Sequence, residues 1–369
     1  MIHGQCDRRF EPVREALTEN FRSHGEIGAA VAVMLDGQSV VDLWAGWMDR
    51  ARTRPWHEDT LVDVFSVGKP MAVLCLLMLV QEGAVDLDAP VAEYWPAFAA
   101  QGKASVTVRM LLGHRAGLPA VRRELPELAM YDWELMTSAL AAEAPWWEPG
   151  TAHGYHTNTY GFLVGELVRR LSGETVGRFF HRRVAEPLGV DFWFGLPESE
   201  DERVAEFVFP EAPPELASAA PLMVRRAYFN PPGVSGIGTV NTRAWRAAEM
   251  PSTNGHATAR AVARIYAALD YLLRPQTITE ATTEVSYGAD QVLHRPSRFG
   301  LGFQLTQPER PLGPGQRGFG HFGAGGSLGF ADPDAGITFA YTPNQGEGPR
   351  WQNPRNRGLI RAVYESLAP

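Results

Sequence analysis

The segments of this 369-residue sequence that favour β-strands lie near its two ends, and helical segments fill the stretch between them. Residues 27–46 form two apolar runs joined by Asp36 and Gly37, a dipeptide that supplies the positive φ angles of a tight hairpin. Residues 336–341 form a short β run, and a last helix is predicted near residues 358–367. Strands at both ends predict an α+β fold, with one antiparallel sheet built from the two chain ends and flanked by helices.

The same pattern predicts two structural units. We expect residues 1–85 and 255–369 to form the sheet domain, because no linker separates sequential domains. Residues 86–254 are expected to form an inserted, mostly helical domain. Within it, residues 206–235 contain six prolines and few charges, which predicts an ordered, apolar and irregular cover.

Charge and hydropathy argue against several classes of partner. The 34 Lys and Arg residues are scattered and outnumbered by 42 Asp and Glu residues, so nucleic acid and anionic membranes are not expected partners. The longest strongly apolar stretch, residues 71–80, is about half the ~20 residues that span a bilayer. Residues 1–25 show no secretion signal, so a cytoplasmic location is predicted.

The cysteine content predicts reduced thiols. The sequence has two cysteines, Cys6 and Cys75. Cys6 is near an amino terminus that we expect to be mobile, and Cys75 lies within an apolar run, so a disulfide is not expected.

The sharpest chemical signal is Ser66 followed three residues later by Lys69. A helix is predicted over 66–82, and Pro70 is compatible with it only in the first turn, so Ser66 must lie at the helix start. Side chains three apart are neighbours on a helix. A lysine desolvated by the apolar helix would have a lowered pKa and could accept the serine proton. By itself the pair also fits an ordinary serine and lysine that meet by chance.

Two further segments carry groups suited to catalysis. Tyr155 precedes a helix predicted from Tyr160, where a tyrosine can relay protons or simply pack. Residues 320–326 are mostly glycine and other small residues, which bring backbone N–H groups close to a ligand and suit one half of an oxyanion hole.

Taken together, the order and spacing of these segments resemble the serine β-lactamase and penicillin-binding-protein superfamily over nearly the whole chain. Residues 66–69 match its Ser-x-x-Lys box, 155–158 stand at its Tyr-x-Asn box, and 321–323 stand at its Lys-Thr-Gly box. The flanking segments 111–119 and 319–327 look like the same group. The sequence is most similar to the family VIII carboxylesterases, which are themselves similar to class C β-lactamases.

The resemblance implies a role for each matching residue. Ser66 would be the acylated nucleophile, Lys69 its proton acceptor, and Tyr155 the residue that relays protons and activates the deacylating water. The backbone N–H groups of Ser66 and Ala324 would form the oxyanion hole.

Two departures from the superfamily pattern favour ester hydrolysis. Asn158 lies one place late in the second box, and His321 replaces the lysine of the third box. In β-lactamases the asparagine holds an amide side chain and the lysine helps to bind a carboxylate, so lactam recognition is weakened here. Asn158, His321, Phe322 and Gly323 remain the candidate substrate-binding residues, and the expected partner is a small-molecule ester.

The sequence also leaves other functions open. A β-lactamase or D-amino-acid peptidase would use the same scaffold, and an acyltransferase would pass the acyl group to an alcohol other than water. A catalytically silent binding protein is a further alternative, although all three boxes retain groups that can transfer protons. No oligomeric state follows from the sequence. No cofactor or metal is expected, because the spacing of His114, His153 and His156 matches no metal-binding motif.

Two further runs imitate catalytic motifs. Residues 325–329 match G-x-S-x-G, but a turn and a strand follow instead of a helix, so Ser327 is not the expected nucleophile. Residues 252–254 imitate a Ser-x-Asn box, yet they precede a helix predicted from Ala257 and are expected to cap it.

Overall fold

The computed structural model describes residues 1–209, 220–346 and 353–368. Within them a nine-stranded antiparallel sheet runs in the order β1-β3-β2-β12-β11-β10-β9-β8-β7. A small second sheet has the order β4-β6-β5. The strands are β1 (Ile2–Cys6), β2 (Gly28–Leu35), β3 (Gln38–Gly46), β4 (Val62–Phe65), β5 (Phe192–Trp193), β6 (Gly255–Ala257), β7 (Ser286–Ala289), β8 (Pro296–Phe299), β9 (Gln304–Leu305), β10 (Phe319–Phe322), β11 (Leu328–Asp332) and β12 (Ile337–Pro343). The large sheet therefore comes from both chain ends, as predicted.

Most of the helices lie between β4 and β7 in the chain, while the first lies between β1 and β2 and the last follows β12. They are α1 (Glu11–Ser23), α2 (Gly68–Gln81), α3 (Val91–Tyr94), α4 (Val108–Leu112), α5 (Trp133–Ala142), α6 (Thr159–Ser172), α7 (Val176–Phe180), α8 (Glu186–Leu188), α9 (Leu222–Phe229), α10 (Arg243–Ala247), α11 (Ala259–Ala267), α12 (Leu269–Leu272), α13 (Pro275–Ala281) and α14 (Pro354–Leu367). Among the residues that the structure describes, none of these helices has the length and apolar character that a membrane crossing requires.

The predicted hairpin is present between β2 and β3. Asp36 and Gly37 connect the strands with φ angles of 48° and 77°. Both angles are positive, which is the geometry that matches the right-handed twist of a two-residue hairpin.

The expectation of a mobile amino terminus is wrong. Residues Ile2–Cys6 form β1, which pairs with the outer edge of β3 and gains backbone hydrogen bonds there. Arg9 adds a second attachment, since its guanidinium donates to the carbonyls of Ser366 at 2.6 Å and Leu367 at 2.8 Å. Both cysteines are free thiols, as predicted.

The sheet separates two apolar layers because alternate residues of a strand point to opposite faces. On one face, Val31 of β2 and Phe339 of β12 pack in the same core as side chains of α1 and α14. On the other face, Ala32 and Ala340 belong to the larger core, which contains α11 and the helices around α2.

Helix α2 lies at the centre of that larger core and fixes the position of the residues around Ser66. Every side chain from Gly68 to Leu79 is buried, and α2 packs against α6 and α7. A helix that is apolar on all sides must be surrounded by protein. The larger core thus joins residues of both predicted units, and the division at 85/86 and 254/255 stays a prediction.

Helix α7 runs directly into the π-helical segment His181–Ala185 and then into α8, which contains Pro187. One local prediction is corrected. The cover over 206–235 is not wholly irregular, because Leu222–Phe229 forms α9. Residues 210–219 of that cover lie outside the described residues.

Candidate active site

A strained turn connects β4 to α2 and carries Ser66. Phe65 has a φ of 49°, a left-handed conformation that costs a residue with a bulky side chain about 1–3 kcal/mol. The helix begins at Gly68, so Ser66 stands two residues before it rather than at its first position. A Cβ added at Gly68 would lie 2.7 Å from the Pro251 carbonyl oxygen, and this close approach requires glycine.

Asp63 stabilises this turn from within β4. Its side chain accepts a hydrogen bond from the Phe65 N–H at 2.7 Å and one from the Trp245 indole N–H at 2.6 Å. Burial raises the pKa of Asp63 well above its ordinary value, while the hydrogen bonds from Trp245 and Phe65 act in the opposite direction. Asp63 therefore ties the strained residue before Ser66 to the fully buried Trp245.

The Lys69 amine lies at the meeting point of three oxygen atoms. Its Nζ is 3.1 Å from Ser66 Oγ, 2.7 Å from the Thr157 carbonyl oxygen and 2.9 Å from the Ser252 carbonyl oxygen. Lys69 is completely buried, and no carboxylate of the described residues forms an ion pair with it. Burial lowers the pKa of Lys69 well below its ordinary value.

This arrangement suits a neutral amine. A neutral amine has two N–H bonds and one lone pair. The two carbonyls accept the N–H bonds, which leaves the lone pair directed at the hydroxyl of Ser66. An amine in this state can accept the serine proton.

Tyr155 also lies close to the Lys69 amine. The Lys69 Nζ is 4.8 Å from the centroid of the Tyr155 ring. Burial raises the pKa of Tyr155 well above its ordinary value, and a side-chain hydrogen bond with Ser66 has the opposite effect. The three residues predicted to act together are thus within contact distance of one another. Three further rings pack around the phenol, those of His114, Phe299 and His321.

The glycine-rich turn after β10 lies against the end of β4. The Ser327 hydroxyl donates to the Val64 carbonyl at 2.9 Å, and a Cβ added at Gly323 would lie 2.4 Å from the same oxygen. Among the described residues, no acceptor is bound by the backbone N–H of Ser66 or by that of Ala324. Both N–H groups are therefore available to a ligand.

The structure places the candidate substrate-binding residues in different surroundings, and only some of them lie beside Tyr155. His321 is completely buried beside Tyr155, and its Nδ1–H donates to the Phe322 carbonyl at 2.6 Å. Burial lowers the pKa of His321 well below its ordinary value, so its ring is neutral at pH 7. The ring of Phe322 instead packs in the core beneath α1 and α14. Asn158 is directed to the cover, because its amide N–H groups donate to Ala227 O and Ser235 Oγ.

The sequence analysis missed the carbonyl of Ser252 as a site group, and the predicted capping role for residues 252–254 is wrong. Strand β6 intervenes before α11, and Thr258 caps that helix by accepting from the Ala261 N–H. The Ser252 side chain accepts from the Gly161 N–H, while its carbonyl accepts from Lys69. A backbone carbonyl exists at every residue, so no sequence signal distinguishes this one.

The three histidines examined as metal ligands take part in hydrogen bonds. His156 Nε2 accepts from the Leu118 N–H, and His114 Nδ1 accepts from the His156 N–H. His153 Nε2 lies 3.0 Å from Ser297 Oγ. In the parts of the chain that the structure describes, no group of three or more His, Cys, Asp or Glu side chains is arranged to hold a metal ion.

Comparison with known proteins identifies the family of this chain. Residues 9–363 match the Beta-lactamase family model. The esterase/beta-lactamase LipL of Mycobacterium tuberculosis is 37% identical over 370 residues, covering 93% of this chain and 83% of that protein. A family VIII carboxylesterase has a crystal structure with a TM-score of 0.92 and 39% identity, covering 99% of this chain and 100% of the other. The crystal structure of a penicillin-binding-protein homologue from Caulobacter crescentus has a TM-score of 0.92 and 41% identity, and the match covers 99% of this chain and 100% of the other. The resemblance inferred from the sequence is confirmed, and the chain belongs to the beta-lactamase family.

Proposed function

We propose that this protein is a serine carboxylesterase that cleaves small carboxylic esters through an acyl-enzyme on Ser66. The observation that carries the proposal is the position of the buried Lys69 amine, 3.1 Å from Ser66 Oγ and bound to two carbonyls. A serine hydroxyl is a weak nucleophile until a base takes its proton. The neutral amine is that base.

The acylation step uses groups that already surround Ser66. Ser66 Oγ attacks the ester carbonyl carbon as its proton moves to Lys69 Nζ, and the negative oxygen that forms accepts from the N–H groups of Ser66 and Ala324. When the tetrahedral intermediate collapses, the bond to the alcohol oxygen breaks. The alcohol leaves with a proton delivered through Tyr155 from Lys69.

The deacylation step repeats this sequence with water in place of the alcohol. Tyr155 and Lys69 remove a proton from the water, whose oxygen attacks the acyl carbon. The bond to Ser66 Oγ then breaks, and Ser66 recovers its proton. The product acid and the resting enzyme result.

Esters are favoured over lactams because of the groups at positions 158 and 321. A neutral, buried His321 attracts a carboxylate less than a lysine ammonium would. The Asn158 amide N–H groups are already bound to the cover. The similarity to a family VIII carboxylesterase supports the same choice. The similarity to LipL, whose name includes both activities, keeps β-lactamase as the second candidate on the same residues.

A panel of short-chain p-nitrophenyl esters assayed beside nitrocefin tests the proposal, together with labelling of Ser66 by a fluorophosphonate. We expect ester turnover and one label per chain, both absent in Ser66→Ala. Labelling of the Ser66→Ala variant, or an enzyme inert to every ester and to the label, would contradict the proposal. Adding a series of alcohols to the ester assay separates acyl transfer from hydrolysis, because transfer yields a new ester.

The cellular setting of the enzyme is also a proposal. We propose that it acts in the cytoplasm on a soluble ester, with no nucleic-acid or membrane partner, and that it needs no cofactor. Fractionation of cells with an antibody to the chain tests the location, and dialysis against a chelator tests the independence from metal.

A further inference from the structure

Tyr155 lies in a stretch without regular secondary structure, yet its phenol must keep a fixed position beside Ser66 and Lys69. The stretch spans residues 152–156, between α5 and α6. Its backbone is attached to a distant part of the chain, because the Tyr155 N–H points at the side chain of Asp290. Each carboxylate oxygen of Asp290 is 3.1 Å from the Tyr155 nitrogen.

Asp290 is itself rigidly held directly after β7. The N–H groups of Val292 and Leu293 donate to its Oδ1 at 2.8 and 2.9 Å, and the Ser297 hydroxyl donates to its Oδ2 at 2.7 Å. The side chain is 3% exposed, and within the described residues no cation forms an ion pair with it. A buried carboxylate with this many donors is fixed in orientation.

A second layer directs the Ser297 proton toward Asp290. His153 Nε2 is 3.0 Å from Ser297 Oγ. The single hydroxyl proton of Ser297 goes to Asp290, so the His153 N–H must donate to Ser297. His153 lies two residues before Tyr155, so two residues of the same stretch are linked to Asp290, one through Ser297 and one directly.

We propose that Asp290 is a positioning residue for Tyr155, because the Asp290 carboxylate holds the backbone of Tyr155 in place. The inference rests on the proposed function. The Asp290 carboxylate contacts the backbone of Tyr155 and not the substrate. Asp290 therefore affects the reaction only through the position and charge of the Tyr155 phenol.

The charge of Asp290 acts among the other titratable groups around Tyr155. A negative charge nearby raises the pKa of a phenol, and the carboxylate of Asp290 adds to the effect of burial on Tyr155. The remaining titratable or charged groups that face Tyr155 or Asp290 are Lys69, His114, His153, Tyr160, Tyr228, Arg295, Arg310 and His321. With Lys69 neutral and the phenol protonated, the resting site holds a base for Ser66 and a proton for the leaving alcohol.

Three variants of the full chain test the inference. Asp290→Asn keeps an oxygen for the backbone donors and removes the charge, whereas Asp290→Ala removes both. Asp332→Asn is the matched control, because Asp332 is equally buried and accepts from the Tyr364 hydroxyl, outside the site. The measurements are kcat and KM for p-nitrophenyl acetate across pH, the fluorophosphonate labelling rate, and circular dichroism for the fold.

We expect Asp290→Ala to lower kcat about 100-fold with KM changed less than about threefold, on the scale of a mispositioned catalytic group. Asp290→Asn should recover most of kcat at pH 7. Its alkaline limb in kcat/KM should move to lower pH by about one unit, the size of shift that one nearby charge produces. Asp332→Asn should leave the profile in place.

Two results would overturn the inference. One is an Asp290→Ala variant with the kcat of the wild type. The other is a folded Asp290→Asn variant whose pH profile superimposes on that of the wild type, which answers the question even if Asp290→Ala does not fold. A wild-type enzyme inert to both ester and phosphonate would overturn the proposed function as well. If the wild type is active and the Asp290 variants have the same kcat and pH profile, only this inference is overturned.

Discussion

The Ser327 hydroxyl donates a 2.9 Å hydrogen bond to the carbonyl of Val64, two residues before the candidate nucleophile. The run at 325–329 that imitates a nucleophile elbow therefore joins the glycine-rich turn after β10 to β4. Strand β11 begins within this run, at Leu328, so no helix follows Ser327, and Ser327 is only 1% exposed. Its hydroxyl holds two parts of the site together.

Replacing each serine in turn separates these roles. Ser66→Ala should abolish ester hydrolysis and change the melting temperature little, because it removes a single hydroxyl group and its hydrogen bond with Lys69. Ser327→Ala should keep most of the activity and lose about 1 kcal/mol of stability, the usual contribution of one hydrogen bond. Ester assays and thermal unfolding of both variants provide the check. Loss of activity confined to Ser327→Ala would show that the nucleophile is misassigned.

Lys69 and Tyr155 should behave as one proton-transfer unit. Lys69→Ala and Tyr155→Phe are each expected to lower kcat by several orders of magnitude, as when members of a nucleophile–base unit are removed. The double variant should be about as slow as either single variant, because the unit is already broken. Burst and steady-state kinetics on one ester measure this. Losses that multiply would mean that the two residues act independently.

The bond between Trp245 and Asp63 should make stability depend on pH. Removing the indole donor in Trp245→Phe raises the already elevated pKa of Asp63 further, because this bond lowers it. When folding raises the pKa of a carboxyl, the protein becomes less stable as the pH rises, because the folded state binds a proton that the unfolded state has already released. We expect a destabilisation of about 1–3 kcal/mol at pH 8 and less near pH 4, measured by denaturant unfolding.

Trp146→Phe is the matched control for this effect. The Trp146 indole donates to the Ala120 carbonyl at 2.8 Å, an acceptor that does not titrate. Its loss should therefore destabilise the protein by the same amount at every pH. If the destabilisation caused by Trp245→Phe were also the same at every pH, the Asp63 carboxyl would not be the titrating group.

Substrate preference should follow from the neutral ring at position 321. We expect kcat/KM for short-chain nitrophenyl esters to exceed that for nitrocefin by at least about a hundredfold, or roughly 2.7 kcal/mol of differential transition-state binding. His321→Lys should narrow the gap by attracting the lactam carboxylate, while His321→Gln, which stays neutral, should not. Nitrocefin turnover equal to ester turnover in the unmodified enzyme would favour the β-lactamase alternative.

Local signals in the sequence predicted much of the fold. The hairpin at Asp36 and Gly37 follows from turn chemistry, and the helix predicted over 66–82 is present as Gly68–Gln81. Strand β1 was not foreseen, because a polar segment such as Ile2–Cys6 becomes a strand only through pairing with β3. Propensity carries no information about such a distant partner.

The candidate site was likewise predicted only in part from the sequence. Ser66 and Lys69 are three residues apart, so their contact is visible in the sequence. Asp290 lies 135 residues from Tyr155, and its role exists only once the sheet edge has met the loop. A lone aspartate after a short strand has no distinguishing pattern, and a backbone carbonyl such as that of Ser252 has none at all.

The two carbonyls that bind Lys69 also link the candidate site to the folding of the whole chain. They come from Thr157 and Ser252, 88 and 183 residues further along the chain. Contacts this distant close large loops, so the chain loses much conformational freedom when they form. In a chain without them the amine of Lys69 lies in water, where an ammonium keeps its proton at pH 7. We therefore expect ester hydrolysis only from chains in which both segments have docked.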